Sequence, residues 1–145
     1  GGTKVSDHHV QSPLLNVNNS CGTCHKYSDQ ELVARAEAIQ SRHRSLVETA
    51  LNALVDLIDE IAAARRSGVS DEQLAEACRF QRQASFYVDY VEAENSAGFH
   101  ADQESARVLG ESINFARLGQ AALRKAMAAP AGVPQPADAP QTGSQ

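Results

Sequence analysis

The fold is decided by residues 28–68, which read SDQELVARAEAIQSRHRSLVETALNALVDLIDEIAAARRSG. Apolar residues recur in this stretch at intervals of three and four, the spacing that places them on one face of an α-helix. A capping box of Ser28 and Glu31 begins it, and Gly68 ends it after two arginines that suit the carboxyl end of a helix dipole. The pattern therefore predicts a helix over residues 28–67. Its predicted core stripe consists of Leu32, Ala36, Ile39, His43, Leu46, Ala50, Leu54, Ile58 and Ile61.

Two further helices are predicted after the first. Ser70 and Gln73 form a second capping box, which begins a helix over residues 70–97. A break at residues 98–100 separates it from a third helix over residues 102–128, where apolar residues alternate in steps of three and four, a regularity typical of a helix with a long antiparallel partner. The core positions predicted in the third helix are Ala106, Leu109, Ile113, Ala116, Gln120, Leu123 and Met127.

These elements predict a mainly α fold in three parts. A loop segment covers residues 1–27, three long helices cover residues 28–128, and a Pro/Ala-rich tail over residues 129–145 is expected to be disordered. The first helix would measure about 60 Å, which is longer than a compact chain of 145 residues is wide. We therefore expect it to protrude, or to be covered by a second subunit or by a further part of the polypeptide.

Composition and charge exclude several classes of function. Thirteen Lys and Arg against 18 Asp and Glu give a net charge of −5, without a run of basic residues, which argues against nucleic-acid binding and a polybasic membrane anchor. The longest stretch without charged residues, between His8 and His25, is polar and cannot span a bilayer. The chain begins Gly-Gly-Thr-Lys, with neither an initiator methionine nor a secretory signal segment, so we expect a processed product or a fragment.

The motif that carries chemistry is Cys21-Gly22-Thr23-Cys24-His25, the C-x-x-C-H pattern by which c-type haem is attached. Two thiols at this spacing can add across the two vinyl groups of one porphyrin edge, and the adjacent histidine is then delivered to the iron from one face. The motif predicts one covalently attached haem c, with Cys21 and Cys24 as attachment residues and His25 as axial ligand. Residues 1–27 are thus predicted to be a haem-binding segment.

Three other interpretations of this motif stay open. A thioredoxin-like redox pair needs a βαβ context, whereas the flanks here are loop and helix. Half of a zinc site needs two more ligands at a matching spacing, and none follows at the usual interval. A chance occurrence in a loop is the third. The remaining cysteine, Cys78, lies in the middle of a predicted helix without a partner and is expected to be an inert buried thiol.

A haem iron takes a second axial ligand, whose identity tunes its potential. The only methionine, Met127, falls on a core stripe, so a second histidine is expected. His43 lies on the stripe of the first helix and fits packing better, His8 and His9 share a loop and are not distinguished, and His100 stands at the helix break. One attached haem needs only one of these histidines, so the surplus suggests that some of them bind haems attached elsewhere.

Four stretches of the chain resemble a known family. They are DHHVQSPLLN at residues 7–16, the CGTCH motif at residues 21–25, EAENSAGFHA at residues 92–101 and RVLG at residues 107–110. In this order, and over about residues 3–123, the chain resembles the C-terminal part of the pentahaem, ammonia-forming cytochrome c nitrite reductase.

The resemblance assigns roles to individual residues. It implies that Cys21, Cys24 and His25 hold the last of the five haems, that His8 is the distal ligand of the second haem, and that His100 is the distal ligand of the fourth. The fold expected from it is a multihaem cytochrome region in which a haem-binding loop precedes the long helices.

The resemblance also implies an activity and an assembly. The segment would belong to a periplasmic enzyme that reduces nitrite to ammonium, that forms a homodimer through its long helices and that receives electrons from a quinol-linked cytochrome. The lysine-ligated catalytic haem, the active-site residues and a calcium ion have no counterpart in this chain, which is expected to start after the fourth haem motif, so no catalytic residue is expected here. His9 and His43 match no ligand position of the family.

Two alternatives of other classes are kept beside this interpretation. The first is a stand-alone c-type electron-transfer cytochrome without substrate chemistry. The second is a helical interaction module stapled by zinc.

Overall fold

The computed structural model describes residues 11–128, and this part of the chain is built from three α-helices and one short 3-10 helix. The 3-10 helix covers Pro13–Asn16, and the α-helices are α1 (Asp29–Arg66), α2 (Asp71–Glu92) and α3 (Asp102–Ala128). No strand occurs between residues 11 and 128. The predicted mainly α fold, a loop followed by three long helices, is therefore confirmed.

Both predicted capping boxes form, and they fix where the first two helices begin. At the start of α1 the Ser28 hydroxyl accepts the Glu31 N–H at 3.3 Å, while the Glu31 carboxylate accepts the Ser28 N–H at 2.9 Å. At the start of α2 the Ser70 hydroxyl accepts the Gln73 N–H at 3.3 Å, and the Gln73 side-chain oxygen accepts the Ser70 N–H at 3.0 Å. Each box satisfies amide groups that have no partner inside the helix.

The turn between α1 and α2 reverses the chain within a few residues. Gly68 has a φ of +90°, a conformation that side chains with a Cβ rarely adopt. Its N–H donates to the Arg65 carbonyl at 3.1 Å, and the Val69 N–H donates to the Ala64 carbonyl at 3.2 Å, so the last carbonyls of α1 are satisfied. The predicted end of the first helix at this glycine is confirmed to within one residue.

The three helices share one core made of two adjoining clusters of buried residues. In the first cluster the C-terminal half of α1 meets the N-terminal half of α2 and the C-terminal half of α3; its members are Ala53, Leu54, Leu57, Ile61, Ala64, Leu74, Ala77, Ala84, Ala116 and Leu123. In the second, the middle of α1 meets the end of α2 and the first half of α3; its members are Val47, Ala50, Val88, Val91, Val108 and Leu109. Consecutive helices are therefore antiparallel, as the regular spacing in the third helix predicted.

Alanine and glycine allow these helices to pack closely. Gly119 of α3 is buried against α1: a Cβ built on it would lie 2.5 Å from Cδ2 of Leu57. The apolar content of this chain, rich in alanine and poor in aromatic residues, suits helices that approach one another at such positions.

The predicted core stripe of α1 was wrong at Ile58, which is 42% exposed, while the neighbouring Leu57 is 0% exposed. The reason is geometric. Steps of four residues advance about 400° around a helix, so a stripe made mostly of fours drifts by about 40° at each step. The buried residues instead alternate steps of three and four, which average close to the 3.5 residues that keep a stripe facing its partner. The residues that follow this spacing are Val47, Ala50, Leu54, Leu57, Ile61 and Ala64, and Ala36 and Ala53 are also buried.

The ends of α2 and α3 also differ from the prediction. α2 ends at Glu92 rather than at residue 97, because the Glu94 carboxylate accepts the N–H groups of Ser96 and Gly98 and so stabilises a loop there. In α3 the predicted core positions Ala106 and Met127 are exposed, the latter by 56%. Met127 lies in the last turn of its helix, beyond Leu123, the last α3 residue that the core includes.

α1 extends well beyond its neighbour. At 1.5 Å per residue its 38 residues span about 57 Å and the 22 residues of α2 about 33 Å. Its middle also carries an exposed apolar stripe of Leu51, Val55 and Ile58, exposed by 39, 51 and 42%. Among the described helices none has an apolar stretch long enough to cross a membrane.

Candidate functional site

The C-x-x-C-H motif forms a single turn just before α1. The N–H groups of Cys24 and His25 both donate to the Cys21 carbonyl, at 3.2 and 3.0 Å. Cys21 is half-buried, and Cys24 and His25 are exposed. Both cysteines are free thiols. The turn thus brings two thiols and an imidazole together on an accessible segment.

Local contacts give this turn its shape. The sequence predicted an irregular loop, and the structure adds the short 3-10 helix, which Ser12 caps by accepting the Leu14 N–H at 3.3 Å. The Ser20 hydroxyl lies 2.8 Å from the Asn16 carbonyl oxygen and closes the next turn. Val17 is the one buried apolar residue of the segment from residue 11 to 28, and its carbonyl accepts the Gly22 N–H at 2.9 Å.

The glycine of the motif is required by a close backbone contact. A Cβ on Gly22 would lie 2.9 Å from the Asn18 carbonyl oxygen. Real Cβ atoms essentially never approach an oxygen so closely. Gly22 therefore allows the close backbone contact on which the shape of the turn depends.

The residues of this turn fit a c-type haem. Covalent attachment needs two unbridged thiols at this spacing and a neighbouring imidazole, and Cys21, Cys24 and His25 supply them. The rival interpretations find less support. A thioredoxin-like pair needs a strand, and residues 11–128 contain none. A zinc site needs further ligands, and within the same residues no group of three or more His, Cys, Asp or Glu side chains could hold a metal ion.

His100, the second predicted ligand inside the described residues, lies in the loop between α2 and α3. Its side chain is 77% exposed. Its N–H donates to the Ser96 hydroxyl at 3.0 Å, and its ring Nδ1 lies 3.5 Å from Oε1 of Glu94. His100 is thus held by its backbone N–H and along the Nδ1 edge of its ring, while the rest of the ring is exposed.

Glu94 organises this loop, and sequence reasoning missed it. Its carboxylate accepts the Ser96 N–H at 2.9 Å, the Ser96 hydroxyl at 2.8 Å and the Gly98 N–H at 3.1 Å. These bonds, foremost that from the Ser96 hydroxyl, lower the pKa of Glu94 to about 2. An acidic residue followed by serine two positions later and glycine four positions later, just after a helix, was the available signal.

The loop is anchored on α1. The Gln40 side-chain amide donates to the Ser96 carbonyl at 3.1 Å. A Cβ on Gly98, whose φ is +79°, would lie 2.5 Å from Nδ1 of His43. His43 is half-buried against this glycine, so its position fits the packing role that the sequence favoured.

The two candidate ligand positions lie at different levels of the helix bundle. His25 is four residues before Asp29, the first residue of α1, while the His100 loop packs on His43, which is about four turns or roughly 21 Å further along α1. A single iron would need both imidazoles within two metal–ligand bond lengths of each other. His25 and His100 therefore lie on separate loops, beside different parts of α1.

The remaining sequence candidates contribute less to a site. His8 and His9 lie outside the described residues. Cys78 is a free thiol, half-buried and packed against the first core cluster, which agrees with the expected inert role.

Comparison with known proteins identifies the family. The family model of cytochrome c552 matches residues 1–145. Relatives named cytochrome c-552 include those of Bacteroides fragilis, Maridesulfovibrio salexigens and Parabacteroides distasonis, which are 34, 32 and 30% identical over 128 residues. That alignment covers 88% of this chain and 25 to 26% of the relatives, so the chain spans about a quarter of their length.

These matches correct the assignment made from the sequence. Each carries the name cytochrome c552 and none the name of a nitrite reductase. The assignment to the pentahaem nitrite reductase, and the enzymatic activity inferred from it, are therefore corrected to membership of the cytochrome c552 family.

The free thiols and the exposed imidazole agree with the family that the comparison gives. Membership of a cytochrome c family implies haem c as the cofactor, which the C-x-x-C-H motif predicted. The match covers every residue of the sequence. The chain belongs to the cytochrome c552 family.

Proposed function

We propose that this chain carries one covalently bound haem c on Cys21 and Cys24 and transfers electrons without binding a substrate. The observation that carries the proposal is the turn before α1, where two free thiols and an exposed imidazole lie within five consecutive residues. Family membership supports the same cofactor. Haem c, when bound, supplies a one-electron redox couple.

Each residue of the turn has a distinct task in this proposal. The thiols of Cys21 and Cys24 would attach the group, and His25 would supply a nitrogen ligand to its iron. The hydrogen bonds from Cys24 and His25 to the Cys21 carbonyl fix the spacing of these three groups. Because Cys24 and His25 are exposed, the turn is open to a planar ligand and to a redox partner.

We further propose that His100 supplies an axial nitrogen to a different iron, whose haem is attached outside residues 11–128. Its exposed ring and its separation from His25 along α1 support this. The resemblance named His8 as a further ligand, and this stays a prediction, because the surplus of histidines over attachment motifs does not choose between His8 and His9 and both lie outside the described residues.

The proposal includes an assembly and a location. A homodimer would cover the exposed stripe of Leu51, Val55 and Ile58 on α1. A periplasmic location and a quinol-linked cytochrome as electron donor belong to the same proposal. The net charge of −5 supports a protein partner rather than nucleic acid.

A redox titration of the protein, produced with a cytochrome c maturation system, tests the proposed function. The expected result is a reversible titration of unchanged amplitude in Cys78→Ser and, in the double variant Cys21→Ser/Cys24→Ser, the loss of one haem together with its share of the amplitude. Cys78 is the matched control because it is also a free thiol but lies outside the motif. A couple of full amplitude in the double variant would show that the haem is bound elsewhere.

A further inference from the structure

The loop between α2 and α3 contains a carboxylate that the electron-transfer proposal does not use. Glu94 is only about a third exposed, although it sits in a surface loop. It accepts three hydrogen bonds, two from Ser96 and one from Gly98, so its charge is directed into the loop rather than toward solvent. Such convergence of donors on one carboxylate stabilises both its charged form and the backbone that provides the donors.

Two routes connect this carboxylate to His100. The first runs through Ser96, whose hydroxyl donates to Glu94 at 2.8 Å and accepts the His100 N–H at 3.0 Å. The second is direct, since Oε1 of Glu94 lies 3.5 Å from Nδ1 of the His100 ring. Both the backbone and one ring edge of His100 therefore depend on Glu94.

The direct contact also selects a tautomer. A carboxylate beside Nδ1 favours the form that carries the proton on Nδ1, and this form leaves the lone pair of Nε2 free. Metal-bound histidines commonly donate their second ring N–H to a carboxylate, which fixes the ring orientation and raises the basicity of the ligating nitrogen.

From this geometry we infer that Glu94 is a positioning residue for His100, holding the ring so that Nε2 faces outward as a ligand for a haem iron. The inference rests on the proposed role of His100 as an axial ligand. In this inference Glu94 orients the His100 ring and raises the basicity of its Nε2. It acts through Ser96 and through its contact with Nδ1.

The anchoring of the loop explains why the orientation is retained. Gln40 of α1 donates to the Ser96 carbonyl at 3.1 Å, and Gly98 packs on His43 without room for a Cβ. The loop is therefore fixed to the long helix at two points, Ser96 and Gly98, and both residues also donate hydrogen bonds to Glu94. A change at Glu94 should affect the His100 ring without altering the core.

The inference is tested in the haem-loaded full-length protein with four variants. Glu94→Ala removes the carboxylate, Glu94→Gln keeps an acceptor for Ser96 but removes the charge, and His100→Ala removes the ligand. Glu92→Gln is the matched control, because Glu92 is an exposed carboxylate at the end of α2 outside this network. For each variant we would measure the haem count, the low-spin fraction, the midpoint potentials and the affinity of the irons for added imidazole.

His100→Ala is expected to convert one haem from low spin to high spin at an unchanged haem count. Glu94→Ala should raise the affinity of that same iron for added imidazole by roughly 10- to 100-fold, the range typical of groups that orient a metal ligand. Glu94→Gln should keep this haem low-spin and shift its potential upward, because the negative charge beside the ligand is lost. A general loosening of the loop would not produce a shift of potential with the ligation intact.

The outcomes separate the two proposals. If His100→Ala converts a haem while both Glu94 variants match Glu92→Gln in imidazole affinity and potential, the positioning role is overturned and the ligand role stands. If His100→Ala leaves every haem low-spin, the ligand role of His100 fails, and the role of Glu94 fails with it. If Glu94→Ala loses its haem or its helical structure, the test uses Glu94→Gln alone. A midpoint potential equal to that of Glu92→Gln then overturns the positioning role.

Discussion

Two glycines of α3 show how much a single Cβ matters in this molecule. A Cβ on Gly119 would lie 2.5 Å from Cδ2 of Leu57, in the closely packed contact between α3 and α1, whereas nothing lies within 4 Å of a Cβ on Gly110. Both residues are inside the same helix. They therefore form a matched pair that differs mainly in the surrounding space.

Gly119→Ala is expected to lower the free energy of unfolding by about 1–3 kcal/mol, because Leu57 must leave its rotamer or the helices must separate. Gly110→Ala is expected to raise it by about 0.5–1 kcal/mol, since alanine loses less backbone entropy in a helix. Urea unfolding followed by circular dichroism measures both. Equal effects of the two substitutions would contradict the close packing of α1 and α3.

At the scale of single elements, the start of α1 gives a prediction that depends on pH. The Ser28 hydroxyl and then the Ser28 N–H, which donate to the Glu31 carboxylate, lower the pKa of Glu31 from its ordinary value of 4.5. A lowered folded-state pKa means that the ionised form stabilises the fold above pH 4.5, and that this contribution is lost as the pH falls through the lower folded-state value.

Glu31→Gln should therefore differ from the unmodified protein only in how its unfolding free energy depends on pH. Glutamine also completes a capping box but does not titrate, so the variant keeps the cap and loses the pH dependence. We expect the unfolding free energy of the unmodified protein to fall relative to that of the variant below pH 4.5. Parallel stability curves from pH 7 to pH 3 would show that the Glu31 carboxylate does not contribute in this way.

The helices also show what could be predicted from sequence and what could not. The two capping boxes were predicted correctly because each depends only on residues three positions apart. The core stripe of α1 was predicted to include Ile58, whereas the buried residue is Leu57. The reason is that the residues of α1 that become buried depend on where α2 and α3 pack against it. The spacing alone does not contain that information.

The candidate site divides in the same way. The C-x-x-C-H motif is local and is sufficient to predict the cofactor, whereas the turn that it forms was predicted only as an irregular loop. The loop that holds His100 depends on contacts between distant segments, with Gln40 and Ser96 bonded across 56 positions. Glu94 could not be found by periodicity because it lies beyond the last turn of α2.

At the scale of the whole molecule, the exposed stripe of α1 is the feature that a single chain does not explain. Leu51, Val55 and Ile58 follow the helical spacing of four and three and lie on a side of α1 that neither α2 nor α3 covers. Exposed apolar residues at this spacing are typical of helices that pair with another helix. We therefore expect the stripe to be the contact between two copies.

Val55→Arg should convert the dimer to a monomer in sedimentation velocity, because a charge would be buried in the middle of this stripe. Asn52→Arg is the control, since Asn52 is exposed on α1 outside the stripe and the substitution adds the same charge. A monomeric unmodified protein, or a dimer that persists in Val55→Arg, would show that the stripe is not the contact.

The proposed electron transfer depends on one covalent feature, the attachment of haem c at the turn before α1. Intact-protein mass spectrometry under denaturing conditions, on protein produced with a cytochrome c maturation system and followed by peptide mapping, tests it most directly. We expect one haem on the peptide that contains Cys21 and Cys24, and none on the peptide that contains Cys78. Unmodified thiols at Cys21 and Cys24 in the mature protein would contradict it.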